Sequence, residues 1–517
     1  MNIKRAKQEI KDAIQAYLMK DAYGEYVIPP IHQRPVLLMG PPGIGKTQIM
    51  EQIARECGIG LVAYTITHHT RQSAIGLPFI QEKTFGGETY SVTEYTMSEI
   101  IASVYEKIER SGHREGILFL DEINCVSETL APTMLQFLQC KMFGNQKVPE
   151  GWMIVAAGNP PEYNKSVREF DVVTLDRIKK IDVDVDFEVW KEYAYQADVH
   201  PAVIAYLELR KENFYRMEQT VDGKTFATAR GWEDLSRLIQ AYEKLGKKVD
   251  REVVHQYIQH WKTAKDFANY LELYVKYRKD YALEGILRGE YGAETLGRLK
   301  FAAFDERLSV VSLLLGKLGE GFKKAYEQDQ FVTELYGWLG KYKRLILEVE
   351  EEGLDEGIYA DGGILKSICR KAGDDLVKKE KAEQLTRAGR QRSIRVVETL
   401  EKYLQIVHGE HLAGREAFAR VKGLFAKETG KREAQVEQTL EALNHAFDFL
   451  EEAFGESQEM VVFVTELNTN YYSIQFLKEN DCEKYFKYNK GLLFDERHRR
   501  ILEEMDSAEQ EAERTQL

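Results

Sequence analysis

The amino-acid sequence predicts an α/β core built on a parallel sheet, followed by a long all-helical region. Three observations carry that reading. Strand-length apolar runs alternate with helical stretches from Arg34 to about Val185, a glycine-rich loop joins the first such run to a helix, and the pattern beyond Trp261 is helical almost to the end. The candidate strands are Pro35–Gly40, Leu61–Thr67, Gly116–Leu120, Trp152–Ala157 and Ile178–Val185. Both faces of each are apolar, as in strands covered on two sides, and the helices between them imply parallel pairing. Phe79–Phe85 and Thr89–Tyr95 flank Gly86-Gly87 and read as a β-hairpin, because two glycines supply positive φ. A shorter turn-bearing segment, Met142–Trp152 with Gly144-Asn145, precedes the next strand.

A chain of 517 residues exceeds a single core, so several domains are expected. We divide it into an α/β domain with an N-terminal helix at 1–186, a helical lid at 187–257 and a helical domain at 258–517 that serves as a partner- or substrate-docking platform. The content of 44% hydrophobic and 30% charged residues is that of a soluble globular protein. No apolar run approaches the ~20 residues needed to span a bilayer. In the first twenty residues Ile3, Ile10, Ile14 and Leu18 share one helical face between charges, the pattern of an amphipathic helix docking on a domain rather than of a signal peptide. The five cysteines (Cys57, Cys125, Cys140, Cys369 and Cys482) are scattered and without paired spacing, so reduced thiols in a cytoplasmic protein are expected. A net charge of −13 runs against nucleic acid as the main partner, because phosphate neutralisation needs cations.

Gly40-Pro41-Pro42-Gly43-Ile44-Gly45-Lys46-Thr47 follows an apolar strand and opens a helix that Gly58 can terminate. This is a complete Walker A motif. Its glycines let main-chain N–H groups converge on phosphate oxygens, and the helix N-terminus adds a favourable dipole. Lys46 is expected to reach the β- and γ-phosphates of ATP, and the Thr47 hydroxyl to ligate Mg²⁺. A chance glycine-rich turn would lack this strand–loop–helix setting.

Ile117-Leu118-Phe119-Leu120-Asp121-Glu122 fits Walker B. The strand delivers Asp121 to its carboxyl end, where it can hold Mg²⁺ directly or through water, and Glu122 is placed to polarise the attacking water. Trp152–Ala157 leads into Gly158-Asn159-Pro160, which puts Asn159 in the sensor 1 position, able to bond the γ-phosphate or the water. Two arginines follow. Arg177, after Leu175-Asp176, suits a finger reaching a neighbouring subunit's nucleotide, with Arg168 as a rival; Arg230, after Thr228-Ala229, suits a lid arginine closing over the nucleotide of its own chain. The His68-His69 pair has no third ligand at suitable spacing and is assigned no metal.

Taken together, these residues resemble the MoxR-type AAA+ ATPases, within the larger group that carries an insert in the second helix. The order matches: Walker A at Gly40–Thr47, a hairpin-like insertion after Gly76-Leu77-Pro78, Asp121-Glu122-Ile123-Asn124, Gly158-Asn159-Pro160, Leu175-Asp176-Arg177 and then Arg230. The resemblance runs from about Ile28 to Tyr242. It implies a five-stranded parallel sheet between helices, a helical lid and assembly into a hexameric ring with nucleotide between subunits. It also implies chaperone-like remodelling or metal insertion on a protein substrate, often with a partner that contains a von Willebrand factor A domain. The rival readings are a nucleic-acid-dependent motor, like the restriction subunits that share this insert, and a nucleotide-gated signalling switch.

Beyond Trp261 there is no catalytic motif. Tyr270, Tyr274, Tyr277 and Tyr281 recur at helical spacing and read as packing. Lys366 to Arg395 carries ten Lys or Arg against four Asp or Glu, either a solvated helix with a positive face or a surface for an acidic partner. Glu459–Leu467 reads as a strand or a fully buried helix. An irregular stretch is expected at Glu352–Gly363 and a fraying polar tail at Glu503–Leu517.

Overall fold

The computed structural model describes residues 1–68, 72, 74, 76–143, 146–163, 167, 170–220, 223–351 and 363–492. The Gly144-Asn145 turn, Arg168, the side chains of His68-His69, residues 352–362 and the polar tail lie outside the described residues. Contacts divide the chain into two compact units: one takes Met1–Val189, Thr228–Gly231 and Gly373–Gln391, and the other takes Trp190–Ala227, Trp232–Ala372 and the described residues from Arg392 onward.

The first unit opens with helix α1 (Ile3–Leu18), whose N-cap Asn2 accepts a hydrogen bond from the Arg5 amide at 2.9 Å. Ala6, Ile10, Ala13 and Ile14 are buried, and their spacing forms one apolar stripe. Strand β1 (Val36–Met39) then leads through the glycine-rich loop into α2 (Lys46–Cys57) and β2 (Gly60–Thr65). The hairpin β3 (Pro78–Phe85) and β4 (Glu88–Tyr95) follows as expected, then α3 (Glu99–Ser111), β5 (Gly116–Asp121) and α4 (Ala131–Cys140). A minimal hairpin, β6 (Met142–Phe143) with β7 (Gln146–Lys147), precedes β8 (Trp152–Gly158), α5 (Val172–Leu175) and β9 (Lys179–Asp182).

Five strands form one sheet in the order β2-β5-β8-β1-β9, with every neighbouring pair parallel. Side chains alternate between its faces. Val36, Leu38, Ile117, Phe119, Val155 and Ile181 meet α1 and α2 on one side, whereas Leu37, Leu118, Leu120, Ile154 and Ala156 meet α3 and α4 on the other. Burial on both faces is why these strands read as continuous apolar runs. β2 ends at Thr65, two residues earlier than the sequence predicts, because Ile66–His68 turns into a 3-10 helix. β9 is likewise confined to Lys179–Asp182. The segment Gly373–Gln391 joins this unit through Glu383, which pairs with both Lys107 and Arg110 of α3 at 2.7 Å.

Among its described residues the second unit is helical apart from one β-hairpin. Its elements, four of which (those beginning at Phe187, Ala229, Gly363 and Arg387) also run into the segments of the first unit, are α6 (Phe187–Gln196), α7 (Pro201–Leu209), a β-hairpin of β10 (Arg216–Thr220) and β11 (Gly223–Ala227), α8 (Ala229–Lys244) and α9 (Arg251–Tyr257). Then come α10 (Trp261–Asp280), α11 (Leu283–Ile286), α12 (Ala293–Lys300) and the 48-residue α13 (Phe304–Glu351). The rest is α14 (Gly363–Lys381), α15 (Arg387–Gly409), the 41-residue α16 (Gly414–Phe454), α17 (Gln458–Thr469) and α18 (Tyr471–Glu479). The hairpin corrects the expectation that 187–257 is purely helical. Its antiparallel register pairs Arg216 with Ala227 and Thr220 with Gly223, and short strands with polar alternation leave little apolar signal.

Glu459–Leu467 proves to be helix, with Met460, Phe463, Val464 and Leu467 buried on one face of α17. The tyrosine run packs as expected: Tyr274 and Tyr281 are buried, and the Tyr206 and Tyr270 rings lie 5.6 Å apart. Within the basic stretch, Lys379 pairs with Asp375, and Arg392 with Glu334. Lys191 of α6 is buried between Glu208 of α7 at 2.7 Å and Glu466 of α17 at 2.9 Å, so helices far apart in sequence share one charge network. Among the described residues no helix is long and apolar enough to cross a membrane.

The α1 stripe supplies a test of the core. Ile10 is fully buried. Ile10→Ala should destabilise the first unit by about 2–5 kcal/mol through lost contacts and a residual cavity. Urea unfolding followed by a probe in that unit measures this; an unchanged midpoint would mean α1 is not part of the core.

Candidate active site

The strand order converts three separate motifs into one place. β1 lies between β8 and β9, and β8 lies between β1 and β5, so the carboxyl ends of β1, β8 and β5 stand side by side. From them emerge the glycine-rich loop, Asn159 and the Asp121-Glu122 pair. A cleft at the carboxyl edge of a parallel sheet is the usual ligand position in such folds.

Gly43 and Gly45 have φ of 77° and 93°, a left-handed backbone that glycine adopts without steric cost. Gly45 is the N-cap of α2, leaving the amides of that first turn directed into the loop. A Cβ on Gly43 would lie 3.3 Å from Thr228 Cβ and 3.5 Å from Arg230 Cβ. Thr228–Gly231 therefore lies against the loop, and the Thr228 hydroxyl accepts from the Gly231 amide at 3.2 Å where α8 begins.

Lys46 is only 8% exposed, and its ammonium donates to Gly40 O at 2.7 Å, Pro41 O at 2.9 Å and Asn159 Oδ1 at 2.9 Å. Burial pushes its pKa down to about 8; the nearby Asp121 carboxylate opposes that shift, and the Arg230 guanidinium adds to it. The Thr47 hydroxyl donates to Asp121 Oδ2 at 2.9 Å, while Asp121 Oδ1 accepts from the Glu122 amide at 2.9 Å. A hydroxyl and a carboxylate in contact are hard oxygen donors of the kind Mg²⁺ takes when phosphates and waters complete its shell. Among the described residues, no cluster of three or more His, Cys, Asp or Glu offers an all-protein metal cage. The donor set thus fits a metal that arrives with a nucleotide.

Glu122 sits in the left-handed region at φ 57°, which turns it out of β5 at the start of the 3-10 turn Ile123–Cys125. Its Oε2 accepts from the Thr67 hydroxyl at 3.0 Å. The structure brings Lys46, Thr47, Asp121, Asn159 and Arg230 into this one neighbourhood, with Glu122 at its edge. Arg177 is engaged elsewhere: it is exposed, and Nη1 donates to Gln139 Oε1 of α4 at 2.6 Å.

Two residues of the site were not assigned roles from the sequence. Thr67 becomes visible only when β2 ends early; Thr65 is in register with Asp121, so the hydroxyl two residues on stands beside the turn that carries Glu122. Asn124 is 3% exposed, and its side chain holds the Asn159 main chain, with Nδ2 donating to Asn159 O at 2.8 Å and Oδ1 accepting from Asn159 N–H at 3.3 Å. Its signal in the sequence was a polar side chain inside an otherwise apolar turn.

Residues 36–175 match the model of the ATPase family associated with various cellular activities (AAA). The sheet-bearing core is of the AAA type. The match spans the loop, the Asp121-Glu122 pair and Asn159, and ends two residues before Arg177. AAA domains in general bind ATP with Mg²⁺ and hydrolyse it, and AAA+ proteins commonly assemble as hexameric rings. No curated protein matches the chain significantly in sequence.

The depressed Lys46 pKa sets a pH dependence. Below pH 8 the ammonium is already charged, so ATP affinity should be flat. Above it, binding must recruit a proton, and affinity should fall by up to about tenfold per pH unit. Arg230→Gln removes a neighbouring positive charge, so the decline should begin at higher pH whatever the change in absolute affinity. Titration calorimetry from pH 6.5 to 9.5 reads the onset; identical onsets in both proteins would contradict the assignment.

Proposed function

We propose that this chain is an ATP-hydrolysing AAA+ motor of the MoxR type, a chaperone-like remodeller or maturation factor that acts on a protein partner. The observation that carries the proposal is the contact set around one ammonium and one carboxylate: Lys46 on Asn159, and Thr47 on Asp121, beneath a glutamate turned out of the strand end. In this reading Lys46 and the loop amides bind the β- and γ-phosphates. Thr47 and Asp121 hold Mg²⁺, which neutralises charge on the phosphate oxygens when bound. Glu122 takes the proton of the attacking water, Asn159 orients that water against the γ-phosphate, and Arg230 closes on the nucleotide from the start of α8.

Arg177 is assigned to the neighbouring subunit's site, in a homo-hexameric ring. Its exposure supports that role: a trans-acting guanidinium must project from the surface. The proposed domains are the nucleotide-binding domain at 1–186, the lid at 187–257 and the docking platform at 258–517. The β3–β4 hairpin supports work on a protein, because it exposes Phe79, Ile80, Phe85 and Tyr90 on an insert outside the sheet. A protein with a von Willebrand factor A domain is the partner we propose, and the cytoplasm the compartment.

Glu122→Gln should bind ATP with near-native affinity and hydrolyse it about 10²–10⁴-fold more slowly, as loss of a general base requires. Full turnover in that variant would remove the base from the mechanism. Arg177→Ala should be inactive alone yet regain turnover when mixed with Lys46→Ala subunits, since each supplies what the other lacks. Phosphate release from mixed rings, with subunit exchange verified by native mass spectrometry, tests it; exchange without recovered turnover would place Arg177 outside the neighbouring site.

A further inference from the structure

We propose that Asn124 is a positioning residue for hydrolysis, locking the Glu122 turn to Asn159 so that the water-activating carboxylate and the phosphate-facing amide are set as one piece. The proposal rests on the reading of the site as an ATPase and adds a residue to which that reading gives no task.

An asparagine side chain at 3% exposure is costly unless its polar ends are satisfied. Here both ends are spent on the two main-chain groups of a single residue. Nδ2 donates to Asn159 O at 2.8 Å and Oδ1 accepts from Asn159 N–H at 3.3 Å, so the carboxamide grips Asn159 from both sides as a neighbouring peptide would. The preceding position is shaped for this grip: a Cβ on Gly158 would stand 2.6 Å from Asn124 Oδ1. Asn124 also belongs to the short turn that Glu122 opens, closed by the Cys125 amide donating to Glu122 O at 2.9 Å. On the far side, Asn159 Oδ1 accepts from Lys46 at 2.9 Å.

The contacts therefore run from the Glu122 turn through Asn124 to Asn159 and on to the Lys46 ammonium, across strand ends rather than along a strand. A shift of Asn159 when phosphate takes up the Lys46 ammonium must be felt by the turn that aims Glu122. A residue that only capped two strand ends would need one hydrogen bond to either chain, not a matched pair on the residue beside the phosphate.

Two variants of the full-length chain test the role. Asn124→Ala should lower kcat by roughly 100-fold, the scale of a misplaced reacting group, while the Kd for ATP stays within about threefold. Asn124→Asp gives a signature that a structural role would not. As a carboxylate it can still accept from Asn159 N–H but turns an oxygen on Asn159 O; protonated, it regains the donor and mimics the amide. Burial raises its pKa, so its kcat relative to the unmodified chain should rise as pH falls from 8 to 6, while the ratio for Asn124→Ala stays flat. Full kcat in either variant, a pH-independent ratio for Asn124→Asp, or kcat lost in step with ATP affinity would overturn the proposal. Failure of the unmodified chain to hydrolyse ATP would instead sink the ATPase reading beneath it.

Discussion

The ammonium of Lys46 organises the rest of the site. It is buried under a loop that has no side chain long enough to neutralise it, so its immediate partners are dipoles: two carbonyls of its own loop and the amide oxygen of Asn159. Dipoles compensate a buried charge only in part, which is why its pKa falls to about 8 even with Asp121 nearby. A phosphate oxygen offers the full negative charge that the carbonyls lack. The preference for an anion is thus built into the protein before any ligand arrives.

That ammonium can be placed only because the sheet is ordered as it is. If β1 lay at an edge, the loop would meet one strand end instead of being flanked by the ends of β8 and β9. In the observed order β8 brings Asn159 beside Lys46, and β5, one strand further, brings Asp121 within hydrogen-bond reach of Thr47. The two apolar layers under α1 and α2 and under α3 and α4 hold these ends rigid, as short contacts to a buried charge demand. The left-handed Glu122 is the local departure from regularity. Its backbone leaves the ladder to project a carboxylate, and Thr67 and Asn124 brace the departure from two sides.

Much of this was legible from the residues, for reasons that differ by element. The strands could be read because burial on both faces demands unbroken apolar runs, and the loop because glycine at positions of positive φ leaves a pattern in the sequence. The β10–β11 hairpin was not legible: Arg216–Thr220 and Gly223–Ala227 are short and polar, so they leave no apolar alternation of the kind that marks a strand. Glu459–Leu467 was ambiguous because Met460, Val461, Val462, Phe463 and Val464 form a run with β-branched residues at its centre. Only the packing of Met460, Phe463, Val464 and Leu467 against one side decides for helix, tertiary contact overriding local preference.

The sequence by itself determined which chemical groups are present and on which strand end each one rides, because a Gly-rich loop, an acidic pair after an apolar run and an asparagine before proline are local patterns. Only the tertiary structure decided what each group touches. Thr67 meets Glu122 because β2 stops early; Asn124 grips Asn159 because β5 and β8 are neighbours; Arg177 turns to Gln139. These contacts join residues up to 55 positions apart, and no local rule of spacing or periodicity encodes them. They follow from strand order and register, which the chain settles by burying both faces of its sheet at once.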